Sequence, residues 1–174
     1  MAKILLLGAP GIVGVPNEVL GWISAYAQQG HEFIMGDTKT GDARMHKAIS
    51  SLGLTDRTTI YTMNSVIENK YDLKVRQFDT LYDADLKKVY IVEHTSTDST
   101  NSDDNNVLLE IDNIEKEMDI EHNSEWYSFR DKRLMEECAL AILILNKDEP
   151  LVKRVQSLIM SMNIRNKPCY TFQI

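Results

Sequence analysis

No apolar run in this 174-residue chain approaches the roughly 20 residues that a membrane-spanning helix needs. The apolar start Ile4–Leu7 is broken by Gly8 and Pro10, too soon for the hydrophobic segment of a secretion signal. Cysteine is scarce: Cys138 and Cys169 are the only two, and neither stands in a Cys-x-x-Cys or Cys-x-x-His spacing. That argues against a zinc site and makes reduced thiols in a cytoplasm the expectation. A block of basic residues is missing too. With 19 Lys and Arg against 26 Asp and Glu, the net charge is −7. Such a chain repels a nucleic-acid backbone at long range, yet it can still hold a small anion in a local pocket. What the chain does have is length enough for one domain, since about 150 residues bury roughly 68–70% of their unfolded surface, and an ordinary globular composition, 43% hydrophobic.

Lys3–Leu7 is a continuous apolar stretch that runs straight into Gly8-Ala9-Pro10-Gly11-Ile12-Val13-Gly14, the pattern of a buried parallel strand ending in a glycine-rich loop. From Pro16 to Gln29, Val19, Leu20, Ile23 and Ala27 mark one helical face, with Pro16 suited to the first turn and Gly30 to the stop. A second strand, His31–Met35, leads through Gly36–Gly41 to a helix opened by Asp42, with the apolar stripe Met45, Ile49 and Leu52. Thr58–Thr62 is a third strand. The last third repeats the alternation: a helix from Trp126 to Cys138, the wholly apolar strand Ala139–Leu145, a helix from Pro150 to Met162, and the strand Pro168–Phe172. Strands alternating with helices predict an α/β fold, an open parallel sheet of about five strands with helices on both faces.

The middle differs in charge. Residues 79–124 carry 13 acidic and 3 basic side chains, a local −10 that leaves +3 on the remainder. The polar run His94–Asn106 holds too little apolar surface to order itself, and it is flanked by the possible strands Val89–Glu93 and Val107–Ile111. The expectation is a single domain over 1–174 in which 79–124 is an acidic insertion, a hairpin at the sheet edge or a mobile lid.

Ligands of open α/β sheets bind in the crevice outside the carboxyl ends of the strands, where helix N-termini present free N–H groups. Three loops should emerge there: Gly8–Gly14, Gly36–Gly41 and Asn146–Glu149. The first has glycines at GxxGxxG spacing, neither the GxGxxG dinucleotide fingerprint nor a phosphate loop ending in GK[ST]. It serves either as a phosphate or ribose contact or as a tight turn.

The second loop, Gly36-Asp37-Thr38-Lys39-Thr40-Gly41-Asp42-Ala43-Arg44-Met45-His46-Lys47-Ala48, resembles the segment after the second strand in the SLOG superfamily. That superfamily includes the DNA-processing proteins of natural transformation, phosphoribohydrolases and nucleotide-sensing modules of antiviral systems. Trp126-Tyr127-Ser128-Phe129-Arg130-Asp131-Lys132-Arg133-Leu134-Met135 is similar to its aromatic–basic–Asp–basic–Met segment, and Ala139–Leu145 with Asn146-Lys147-Asp148 to the strand that follows. The resemblance covers residues 1–65 and 125–174. It implies a Rossmann-like sheet that binds a nucleotide or nucleoside phosphate, as a homodimer or a higher homo-oligomer. The implied ligand contacts are Gly8, Ala9, Pro10, Gly11, Gly36, Asp37, Thr38, Thr40, Gly41, Asp42, Arg130, Asn146 and Lys147, with no metal and no cofactor. The chain departs from the superfamily where its phosphoribohydrolases carry a PGGxGTxxE platform: here stands Asn146-Lys147-Asp148-Glu149-Pro150, with no Glu one turn into the helix. Cleaving an N-glycosidic bond needs an aligned carboxylate and a group to orient it, so no catalytic residue is assigned.

Each residue also has a plainer role. Asp42 caps a helix or holds a ribose, His46 packs locally, and Arg130 with Asp131 forms a solvated ion pair or lines the pocket. Trp126, Tyr127, Phe129 and Met135 read as core. The expected function is capture of a nucleotide-derived small molecule, a cyclic nucleotide or ADP-ribose-type signal, as a viral anti-defence sponge in the host cytoplasm would perform it. The alternative is an N-glycosidase or nucleoside transferase using Asp37, Asp131 or Asp148, and a DNA-binding role is disfavoured by the acidic middle.

Overall fold

The first apolar run forms β1 (Lys3–Gly8) and leads through α1 (Asn17–Gln28) to β2 (Glu32–Met35), then through α2 (Gly41–Ser51) to β3 (Thr58–Met63). These elements come from a computed structural model that describes residues 1–37, 41–63, 71–83, 85, 88–94, 106–111 and 125–174. There follow β4 (Lys74–Asp83), β5 (Lys88–His94), β6 (Asn106–Ile111), α3 (Glu125–Glu137), β7 (Cys138–Leu145), α4 (Lys153–Ile164) and β8 (Cys169–Gln173). All eight strands join one sheet in the order β6-β5-β4-β3-β2-β1-β7-β8. The pairings from β4 through β8 are parallel, whereas β5 and β6 add on antiparallel beyond β4.

The doubly wound α/β architecture is as expected, but the sheet has eight strands rather than about five. Five parallel strands and the pair around Val89 and Val107 stand where the apolar runs placed them. The strand that the pattern conceals is β4, Lys74-Val75-Arg76-Gln77-Phe78 and onward, because a charged side chain occupies one of its inward positions. Paired residues of parallel neighbours share a face, and the register puts Tyr61, Arg76 and Phe78 on the α3 side of the sheet. There Phe129 of α3 packs edge-on against Phe78 at 5.6 Å. On the other face, Trp22 of α1 packs against Tyr170 and Phe172 of β8. Helices therefore cover both sides, α1 and α2 on one, α3 and α4 on the other. Among the described residues no helix is long and apolar enough to cross a membrane. The expected polar hairpin tip at 95–105 and the stretch 112–124 lie outside the described residues.

The charge on Arg76 is met by a network of carboxylates and a hydroxyl. Its Nη2 donates to Glu93 Oε2 at 2.8 Å and its Nη1 to Glu137 Oε1 at 2.5 Å, while Lys3 Nζ and the Tyr61 hydroxyl reach Glu137 Oε2 at 2.8 and 2.6 Å. Burial opposes ionisation of Glu137, but the hydrogen bonds from Lys3, Tyr61 and Arg76 outweigh it and hold the carboxyl at about 2, below its ordinary 4.5. A carboxyl with a depressed folded-state pKa contributes stability that is fully present above about pH 4.5 and is lost as the pH falls toward 2. Glu137→Gln is therefore expected to flatten the acid limb of the stability curve in that window, measured by urea unfolding at stepped pH. An unchanged acid limb would assign it to other carboxylates.

Helix α1 ends as its sequence requires. Gly30 adopts φ +85°, and the N–H groups of Gly30 and His31 return to Ala27 and Tyr26 at 3.0 and 3.1 Å. Gly21, exposed in the middle of the same helix, meets no heavy atom within 4 Å of where a Cβ would stand. Gly21→Ala is expected to raise stability by about 0.5–1 kcal/mol through helix propensity alone, read as a higher urea midpoint with unchanged slope.

Candidate functional site

The strand order reverses direction between β1 and β7, since the chain winds from β1 toward β2 on one side and from β7 toward β8 on the other. At the carboxyl ends of these strands lie the turn after β1, the start of α2, the middle of α3 and the first turn of α4. Most of the sequence-derived residues are brought together here.

The glycines at this corner are spent on backbone contact. A Cβ on Gly41 would collide with the Gly8 carbonyl and stand 2.5 Å from that of Ala9; one on Gly8 would come within 2.7 Å of the Gly41 carbonyl carbon. The end of β1 and the start of α2 therefore touch main chain to main chain. The amides of the turn are occupied as well: Gly8 N–H donates to Asp42 Oδ1 at 3.4 Å and Ala9 N–H to the Ile144 carbonyl at 2.8 Å. Gly11, at φ +81°, needs glycine for its conformation, and the Glu149 carboxyl carbon would lie 2.7 Å from a Cβ there. Asn146 ties the two turns, donating from Nδ2 to the Gly11 carbonyl at 3.3 Å and accepting the Asp148 N–H at 3.0 Å. The pocket left between them, lined by Ala9, Pro10, Asn146, Pro150, Leu151 and Val152, has room for about one water molecule. Pro10 and Lys147 are exposed, and Thr38 and Thr40 lie outside the described residues.

Behind the turns is a buried ion-pair network. Arg130, with no exposed surface, bonds Asp37 Oδ1 through Nη1 and Asp131 Oδ1 through Nε and Nη2 at 3.1 and 2.9 Å. Arg130 and Asp131 are thus an interior pair rather than a solvated one. Asp37 Oδ2 accepts the Thr62 hydroxyl at 2.5 Å. Arg154, from the first turn of α4, donates to both oxygens of Asp131 at 2.6 and 2.9 Å. Burial works against the charge on Arg154, but the hydrogen bonds to Asp131, with Asp42 and Asp37 behind it, more than offset this and raise its pKa. Gly36 is packed against this cluster: a Cβ on it would lie 2.9 Å from Asp42 Oδ2 and 3.3 Å from Arg154 Nη2. Its carbonyl accepts from His46 Nε2 at 3.0 Å, which fixes the proton on that nitrogen. Phe129 and Met135 belong to the core, as read from their pattern.

Arg154 escapes sequence reasoning although it had a signal. Helix N-termini favour acidic side chains, yet α4 begins Lys153-Arg154, has no acidic residue in its first turn, and no side chain caps it at Val152. Asp131 takes the Nε and Nη2 donors of Arg154 and leaves Nη1 without a partner among the described residues, on a side chain about one-quarter exposed. Two positive features, a guanidinium edge and an uncapped helix N-terminus, therefore lie side by side at the crevice. Two exposed apolar residues, Leu151 and Val152, stand immediately before α4. Cys138 is buried and its thiol is pushed up to about 11 by that burial, so it is no nucleophile.

No family model matches the chain, and neither a curated protein nor a solved structure is detectably similar to it.

Proposed function

We propose that the chain captures a small nucleotide-derived molecule, of the cyclic-nucleotide or ADP-ribose type, at the carboxyl ends of β1, β2 and β7, and holds it without cleaving it, in keeping with its resemblance to the SLOG superfamily. The observation that carries this reading is Arg154, oriented by two bonds to Asp131 and left with an accessible Nη1 beside the uncapped N-terminus of α4. A guanidinium edge next to free helix N–H groups suits a phosphate. The adjoining apolar residues Leu151 and Val152, beside Pro10 and Pro150, suit a flat base. On this reading the phosphate sits at α4 rather than in the turn after β1, whose amides at Gly8 and Ala9 are already bonded within the chain.

The buried carboxylates at this corner support retention without turnover. Asp37 is held by Arg130 and Thr62, Asp131 by Arg130 and Arg154, and Asp42 accepts the Gly8 N–H. A nucleophile in N-glycosidic cleavage has to reach the anomeric carbon; these three are engaged within the chain, which leaves the exposed Asp148 as the carboxylate to substitute should free base appear. The test is titration with AMP, cyclic AMP and ADP-ribose by calorimetry, with chromatography of the products. At least one should bind saturably and be recovered intact, and Arg154→Gln should weaken it by about tenfold or more, the loss expected for a charge-assisted hydrogen bond. Free adenine would overturn the non-cleaving reading, and no binding by any of the three would overturn the ligand class.

A further inference from the structure

The strand β8 is an open edge. Only β7 pairs with it among the described residues, and its ladder bonds fix which of its groups look outward. The Pro168 carbonyl and the Ile174 N–H and carbonyl bond toward β7 and the loop after it, so in a parallel ladder Tyr170 and Phe172 share that side. The N–H and C=O groups of Cys169, Thr171 and Gln173 therefore point away from the sheet. Proteins usually protect such an edge with a charge, a bulge or a proline within the strand. Cys169-Tyr170-Thr171-Phe172-Gln173 has none of these, and its side chains at Tyr170, Thr171 and Gln173 are exposed.

We propose that β8 pairs antiparallel with β8 of a second copy of this chain about a two-fold axis at Thr171, joining two sheets into one. The strand is its own complement in that register. Thr171 meets Thr171 of the second copy, Cys169 meets Gln173, and the outward groups of these three positions close about six ladder hydrogen bonds. Tyr170 then stands opposite Phe172 of the second copy in the non-hydrogen-bonded pairs, where side chains approach most closely. Each of these rings already packs edge-on against Trp22, at centroid distances of 5.0 and 5.4 Å, so the pairing extends an existing aromatic cluster across the axis. No charge faces a like charge anywhere along the strand, which a symmetric pairing of identical strands requires.

The axis at Thr171 makes the test specific. Light scattering after size exclusion, from micromolar to sub-millimolar concentration, should show a dimer for the wild type. Thr171→Lys and Thr171→Glu each place two like charges at the axis and should give monomers with wild-type circular dichroism. Mixing the two variants should restore a dimer, because Lys then faces Glu. Thr171→Pro removes an outward N–H that β7 does not use and should also give a monomer, which covers the case of a charged variant that does not fold. A monomeric wild type over the whole range would overturn the proposal, as would a dimer that survives both charged variants or a mixture that stays monomeric.

Discussion

Arg130→Met should lower the stability of the fold by about 3–5 kcal/mol, because it removes a buried guanidinium from Asp37 and leaves Asp131 with Arg154 alone, so that charge in the interior is undercompensated. Arg130 has no exposed surface, and its bonds run to Asp37, in the loop after β2, and to Asp131, its neighbour on α3. The loss is measured as a fall in the urea midpoint at neutral pH. Arg130→Lys should recover little of it, since an ammonium cannot supply the forked pattern of three donors that the guanidinium uses here. A further Asp37→Asn in the Arg130→Met background should cost less than it does alone, because the pair is already broken. Additive effects would mean that the ion pair does not couple the two residues. A buried pair of this kind is often no more stabilising than apolar residues of similar shape, so its presence at the strand ends is better explained by the group it orients, Arg154, than by stability.

Gly41→Ala should have the largest effect among the glycine-to-alanine changes. The added Cβ would overlap the Gly8 carbonyl, and both partners are main chain, so neither can rotate away. Relief requires α2 to move off β1, which also breaks the Asp42 contact to the Gly8 N–H. Overpacking in well-ordered interiors costs about 1–3 kcal/mol when side chains can yield; here the expected loss exceeds about 4 kcal/mol, in the range reserved for disrupted backbones. Gly14→Ala is the control in the same segment. Nothing lies within 4 Å of a Cβ there, so stability should stay within about 0.5 kcal/mol of wild type. Comparable midpoints for the two alanine variants would show that α2 does not sit on β1 as described.

How much of this could be read without coordinates depended on how local each cause was. Ala139–Leu145 declared a central strand because a strand buried on both faces needs no polar alternation, and β7 does lie between β1 and β8. Asp42 and Arg130 were marked by their motifs, and both are fully buried at the strand ends. The conspicuous glycines were ambiguous for a physical reason. A residue without a side chain admits a ligand's phosphate and a neighbouring backbone equally well, and only the approach of Gly41 to Gly8 tells which. Arg76 hid β4 because the carboxylates that permit a charge under α3 come from Glu93 and Glu137, far away in sequence. Arg154 was missed for the same reason: its orientation is set by Asp131, 23 residues earlier on another helix. Long-range pairing of charges leaves no periodicity.

The central claim is that Arg154 and the first turn of α4 hold the phosphate of an intact nucleotide-type ligand. Native mass spectrometry of the purified protein after exposure to a cell's small-molecule extract tests this most directly. The predicted result is a non-covalent adduct on the wild type that is released unchanged by denaturation and identified as a phosphorylated nucleoside derivative, and that is absent from Arg154→Gln. A bare wild-type mass, or an adduct retained undiminished by Arg154→Gln, would contradict the account.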